Sequence, residues 1–163
     1  MTETFELQDW QKVVVNMIGQ HEDLIGGQKY LSMGDFERNN STAIRLHLPG
    51  ESGHSTLTAW LATHKDDVML VFTNMEHWNN IAQIRSSRNW GIQSNFQAVS
   101  AYEIFYAIQE QNRGIPSQIF ESLKDKFIKS KIIVVDDSCK MPDLVKDFIL
   151  QVAKDTTTIV MLG

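Results

Sequence analysis

The sequence predicts an α/β protein, a three-layer α/β/α fold around a mostly parallel central sheet. Two observations carry this expectation. Segments with helical apolar spacing alternate with short strand-like segments along the chain, which implies βαβ crossovers with helices on both faces of the sheet. The runs "DDVMLVFT" (66–73) and "KIIVVDDS" (131–138) are continuous apolar stretches, the form of strands buried on both faces.

The elements follow in order. "LQDWQKVVVNMIGQ" places Leu7, Trp10, Val13, Val14, Met17 and Ile18 on one stripe of an amphipathic helix. "IGGQKYLSMGDFERNNS", rich in Gly and Asn, reads as a loop or irregular connection. "TAIRLHLP" is strand-like, 55–63 is a helix, and "DDVMLVFT" is a second strand. A helix over "NMEHWNNIAQIRSSR" comes next, then a weak strand "NFQAVS" and a helix "AYEIFYAIQEQ" that Gly114 and Pro116 break. A further helix, 118–127, leads into "KIIVVDDS", and a helix over 142–154 and a strand "TTTIVMLG" complete the chain. The expected organisation is one domain, 1–163, with a helical and irregular segment 1–40 and a ligand-binding core 41–163.

Composition limits the function classes. The 163 residues are 42% apolar, enough to bury a core, and the formal charge is −5, so no overall basic field draws the chain to nucleic acid or anionic lipid. The one cysteine, Cys139, permits no internal disulfide. With no apolar run of membrane-spanning length, a soluble, cytoplasmic protein without a membrane partner is expected.

The chemistry concentrates in "LHLPGESGHST", a strand running into a Gly-containing turn and a helix. The phosphate-binding pattern G-x-x-x-x-G-K-[ST] sets backbone N–H groups around phosphate, a Lys on its outer oxygens and a hydroxyl on Mg²⁺. Laid on it, Gly53 is the second glycine, His54 stands where the lysine belongs, Ser55 supplies the metal hydroxyl, and Leu48 replaces the first glycine. Gly50 and Gly53 can adopt positive φ, so the loop Gly50, Glu51, Ser52, Gly53, His54, Ser55 and Thr56 forms a candidate anion cradle at a helix N-terminus. What the histidine removes is a long, permanent cation, since imidazole is shorter and has a reference pKa of about 6.5. A ligand-free βα turn is the other reading of the same residues.

A second pattern lies further along. "KIIVVDDS" ends an apolar strand in two acids, the form in which the first holds Mg²⁺ and the second orients or deprotonates the attacking water. Asp136 takes the metal role with Ser55, and Asp137 the base role, although aspartate is one methylene shorter than the usual glutamate.

These pieces resemble the ATPase domain of viral terminase large subunits, the DNA-packaging motors, and more distantly the first motor domain of superfamily 2 helicases. "LQDWQKVVV" is similar to the segment in which a glutamine recognises adenine, a role that would fall to Gln11. "LPGESGHST" is similar to the deviant terminase loop, and "VVDDSCKMPD" to the family's acidic strand end and its sequel, with Pro142 in register. The resemblance implies a P-loop NTPase fold that binds ATP and Mg²⁺, hydrolyses ATP weakly, and works in a DNA-packaging or other nucleic-acid-handling machine with other protein subunits, in the host cytoplasm if the chain is viral. The family's loop Arg, Lys and Glu are replaced by Gly50, His54 and Asp137, so the alternative is a catalytically inactive P-loop protein acting as a structural or regulatory binding module. His54 and Asp137 are the residues expected to govern catalysis.

The remaining candidates read blandly. His21, His47, His64 and His77 form no i, i+3 or i+4 pair and suggest no metal centre. Trp60, Trp78, Phe72 and Phe105 read as core rather than a base-stacking platform. Arg85 and Arg88, beside Trp90, read as a solvated helix end, with phosphate contact or an arginine finger in trans as the alternatives.

Overall fold

A computed structural model describes residues 6–25, 34–47, 53–91, 95–115, 118–154 and 156–163. The elements in chain order are α1 (Asp9–Ile25), α2 (Asp35–Thr42), β1 (Ile44–Leu46), α3 (His54–His64), β2 (Val68–Phe72), α4 (Met75–Ser87), β3 (Gln97–Ser100), α5 (Ala101–Asn112), α6 (Gln118–Lys129), β4 (Ile132–Asp136), α7 (Asp143–Val152) and β5 (Thr158–Leu162). The five strands form one sheet in the order β1-β5-β4-β2-β3, and every neighbouring pair is parallel.

Side chains on a strand point alternately to opposite faces, and the buried residues divide accordingly. Val68, Leu70, Phe72, Ile132, Val134, Val160 and Leu162 face one core, completed by Val14 and Ile18 of α1, Leu57 and Leu61 of α3 and Ile81 of α4. Met69, Val71, Ile133, Val135, Ile159 and Met161 face the other, completed by Ile104 of α5, Phe127 of α6 and Phe148 and Ile149 of α7. Both faces of β2, β4 and β5 are therefore covered, which is why these strands read as unbroken apolar runs. The expected three-layer α/β/α arrangement is the one found.

One element departs from expectation. The Gly- and Asn-rich stretch contains a helix, α2, in its second half. Its sequence, DFERNNST, is poor in helix formers, so local propensity does not explain it. The fully buried Asn39 does: its Nδ2 donates to the carbonyls of Leu150 and Ala153, both at 2.8 Å, at the C-terminal end of α7. Those carbonyls lack helical partners of their own, and a tertiary contact thus fixes the helix. Replacing Asn39 with alanine is expected to cost about 1–3 kcal/mol, because it strands two buried acceptors, and to lower the urea midpoint without changing the slope.

Strand order places the candidate residues. From β2 the chain moves outward to β3, whereas from the adjacent β4 it moves the opposite way to β5. The reversal opens a crevice beyond the carboxyl ends of β2 and β4, where ligands bind in open parallel sheets.

Candidate functional site at the carboxyl ends of the strands

Gly53 begins the site. It has φ of 95°, the left-handed conformation, and a Cβ added there would stand 3.1 Å from Gln11 Nε2. It offers α3 no side-chain cap, and the first bond of the helix runs from Leu57 N–H to the Gly53 carbonyl at 3.0 Å. The N–H groups of residues 54–56 therefore have no intrahelical acceptor and present partial positive charge at the helix head. Gly50, Glu51 and Ser52, and the side chain of His54, lie outside the described residues.

Gln11 reaches this loop from α1. Only 1% exposed, it donates from Nε2 to the Gly53 carbonyl at 3.0 Å and accepts the Gln8 N–H at Oε1, 2.9 Å. Its contact across the fold is thus with the turn itself. Gln11→Ala is expected to loosen the Gly53 turn and to lower the urea midpoint by the equivalent of about 1 kcal/mol.

Asp136 is the centre of the site and is fully buried at the end of β4. Its Oδ2 accepts the Ser55 hydroxyl at 3.2 Å and His77 Nε2 at 2.9 Å, and its Oδ1 accepts the Asp137 N–H at 3.0 Å. The Ser55 bond joins residues 81 apart in sequence, so the head of α3 meets the end of β4. A buried carboxylate is tolerated because donors surround it.

His77 is the residue that sequence reasoning missed. It sits in the first turn of α4, whose N-cap Asn74 accepts the His77 N–H at 3.0 Å. Its Nδ1 faces the Thr73 N–H at 3.2 Å, a group that can only donate, so Nδ1 accepts and the proton given to Asp136 rides on Nε2. The ring thereby ties the end of β2 to the end of β4. Its position just past an apolar strand, in the first turn of the next helix, was a usable signal.

Asp137 follows in left-handed backbone, φ 55° and ψ 41°. Aspartate accepts this conformation more readily than most residues do. Its carboxylate lies 3.9 Å from His77 Nε2 and 3.8 Å from Lys140 Nζ. Together with Gly53, Ser55, Thr56, Thr73 and Asn74, these three line an open cleft of about 580 Å³.

The oxygen donors Ser55, Asp136 and Asp137 are of the type a hard cation takes. Because the Ser55 proton is directed to Asp136, the hydroxyl lone pairs remain for a metal. Asp136, already accepting three protein donors, is suited to bonding a metal's water rather than the ion, the usual habit of Mg²⁺.

Of the two arginines, Arg88 is at the exposed helix end expected of it and Arg85 is not. Arg85 does not belong to a solvated helix end: it is buried on the same face of α4 as His77 and Ile81, its Nε has no hydrogen-bond partner among the described residues, and burial pushes its guanidinium below the ordinary arginine range. The spacing 77, 81, 85 is one helical stripe, and Arg85 falls on it. Arg88 is exposed, its guanidinium 5.5 Å from the centre of the Trp90 ring. Trp78, as expected, packs with Phe72 at 5.3 Å beside the core. No helix among the described residues is long and apolar enough to cross a membrane. No protein-family model matches the chain, and no curated protein matches it at a significant level.

Proposed function

We propose that the chain is a P-loop nucleotide-binding domain that holds Mg·ATP in the cleft between the head of α3 and the ends of β2 and β4, and hydrolyses it slowly. The observation that supports this reading is the Ser55–Asp136 hydrogen bond at the head of α3, which joins a hydroxyl on the cleft wall to a buried carboxylate beside helix N–H groups that have no intrahelical acceptor. In this reading the N–H groups of residues 54–56 hold phosphate, Gly50, Glu51 and Ser52 complete the cradle, and Thr56 lines it. Ser55 and Asp136 hold the metal, which when bound neutralises phosphate charge. Asp137 orients the attacking water, and His77 keeps Asp136 in place. The resemblance to terminase ATPase domains extends the proposal to a DNA-packaging or related machine, with DNA met through a larger complex and other protein subunits, in a cytoplasm, the host's if the chain is viral.

The alternative, a binding module without turnover, draws support from the same network. Asp136 is already satisfied by protein donors, an arrangement that stabilises the fold with no ligand at all.

Calorimetry is expected to give a Kd for Mg·ATP of about 10 μM to 1 mM, roughly −4 to −7 kcal/mol, lost when EDTA removes the metal. No heat and no rise in Tm at millimolar Mg·ATP would refute nucleotide binding. Phosphate release measured on the same preparation separates the slow enzyme from the silent module.

A further inference from the structure

We infer that Lys140 supplies the cation for the terminal phosphate that position 54 lacks, an assignment that rests on the nucleotide reading above. Lys140 is the only lysine or arginine among the described residues lining the cleft, whose lining also carries the carboxylates of Asp137 and Glu76. A polyanion entering beside two carboxylates needs fixed positive charge in addition to its metal.

The local backbone puts the lysine there. Ser138–Lys140 is a single 3₁₀ turn, closed by the Lys140 N–H on the Asp137 carbonyl at 2.9 Å. Asp137 caps this turn from left-handed backbone, and its carboxylate and the Lys140 ammonium come out on the same side. Their charged groups stand 3.8 Å apart, and Lys140 is 70% exposed, so the pair itself adds little to stability. Its consequence is positional: the water that Asp137 orients would attack the phosphate that Lys140 meets. The left-handed backbone of Asp137 turns its carboxylate toward both His77 and Lys140. Arg85 is buried along α4 and Arg88 sits at the Trp90 ring, and neither lines the cleft.

The test compares Mg·ATP with Mg·ADP by calorimetry in wild type, Lys140→Met, Lys140→Arg and the double variant His54→Lys with Lys140→Met. Methionine keeps the stem and removes the charge at an exposed site, so an unchanged Tm is expected for the unliganded variant. Lys140→Met should weaken Mg·ATP about tenfold while Mg·ADP changes by less than about twofold, since the contact is with the terminal phosphate. Lys140→Arg should retain most of the ATP preference, and a lysine introduced at 54 should restore it. If Lys140→Met leaves the ATP-to-ADP ratio at its wild-type value, the lysine is a surface partner of Asp137 and the assignment fails while nucleotide binding stands. If wild type itself binds neither nucleotide, the reading and the assignment fall together.

Discussion

Asp136→Ala is expected to lose Mg-dependent nucleotide binding and to destabilise the fold together, the largest double effect available at one position. The substitution removes the acceptor for the Ser55 hydroxyl, for His77 Nε2 and for the Asp137 N–H in one step, at a site with no exposed surface. Each stranded buried donor costs about 1–3 kcal/mol, and relaxation around the small side chain recovers part, so a net loss of roughly 3–5 kcal/mol is expected. Asp136→Asn separates the two effects. It preserves volume and one acceptor, so stability should fall by less, about 1–2 kcal/mol, whereas the charge that holds a cation is gone and Mg·ATP affinity should fall more than about tenfold. Urea titration and calorimetry on both variants give the two numbers independently. An asparagine variant that binds Mg·ATP as wild type does would take Asp136 out of the metal site.

The same residues show which features the sequence made legible. β2 and β4 were readable because strands covered on both faces carry no polar alternation, and Val68–Phe72 and Ile132–Asp136 are buried at every position. The stripe of α1 was legible only in part: Val14 and Ile18 are buried, with the polar Gln11 beside them, whereas Val13 and Met17, which apolar spacing assigns to the same stripe, are exposed. The meeting of Ser55 with Asp136 followed from two strand-end motifs in one parallel sheet. Helix α2 was not legible, because it is held by Asn39 on carbonyls more than a hundred residues away, which no local window contains. His77 and Lys140 were passed over for a related reason. One polar residue at a helix start and one lysine after a strand are ordinary locally, and become a site only when strand order sets β2 beside β4. At Arg85 the charge points to solvent, whereas the helical spacing with His77 and Ile81 points inward, and the spacing prevails.

His54→Lys is expected to raise ATP turnover by about 100-fold over a slow wild type, the largest gain in function open to this chain. A cation that contacts charge developing in the transition state is commonly worth about 3 kcal/mol, and each 1.4 kcal/mol is tenfold. Lysine at the head of α3 joins the first N–H groups of that helix, whereas Lys140 reaches in from an exposed turn and shares its charge with Asp137. The gain should therefore appear in kcat more than in the Kd for Mg·ADP, which ends before the terminal phosphate. Adding Asp137→Glu lengthens the base by one methylene, but at φ 55° the larger side chain meets the strain that aspartate tolerates, an added cost of about 1 kcal/mol. The double variant is thus expected to be less stable than the single one, and faster only if reach at position 137 limits the rate. Steady-state phosphate release with urea midpoints for all three proteins decides this. A lysine variant that binds Mg·ATP tightly yet releases phosphate no faster than wild type would show that the missing cation does not limit hydrolysis, and would favour the silent binding module.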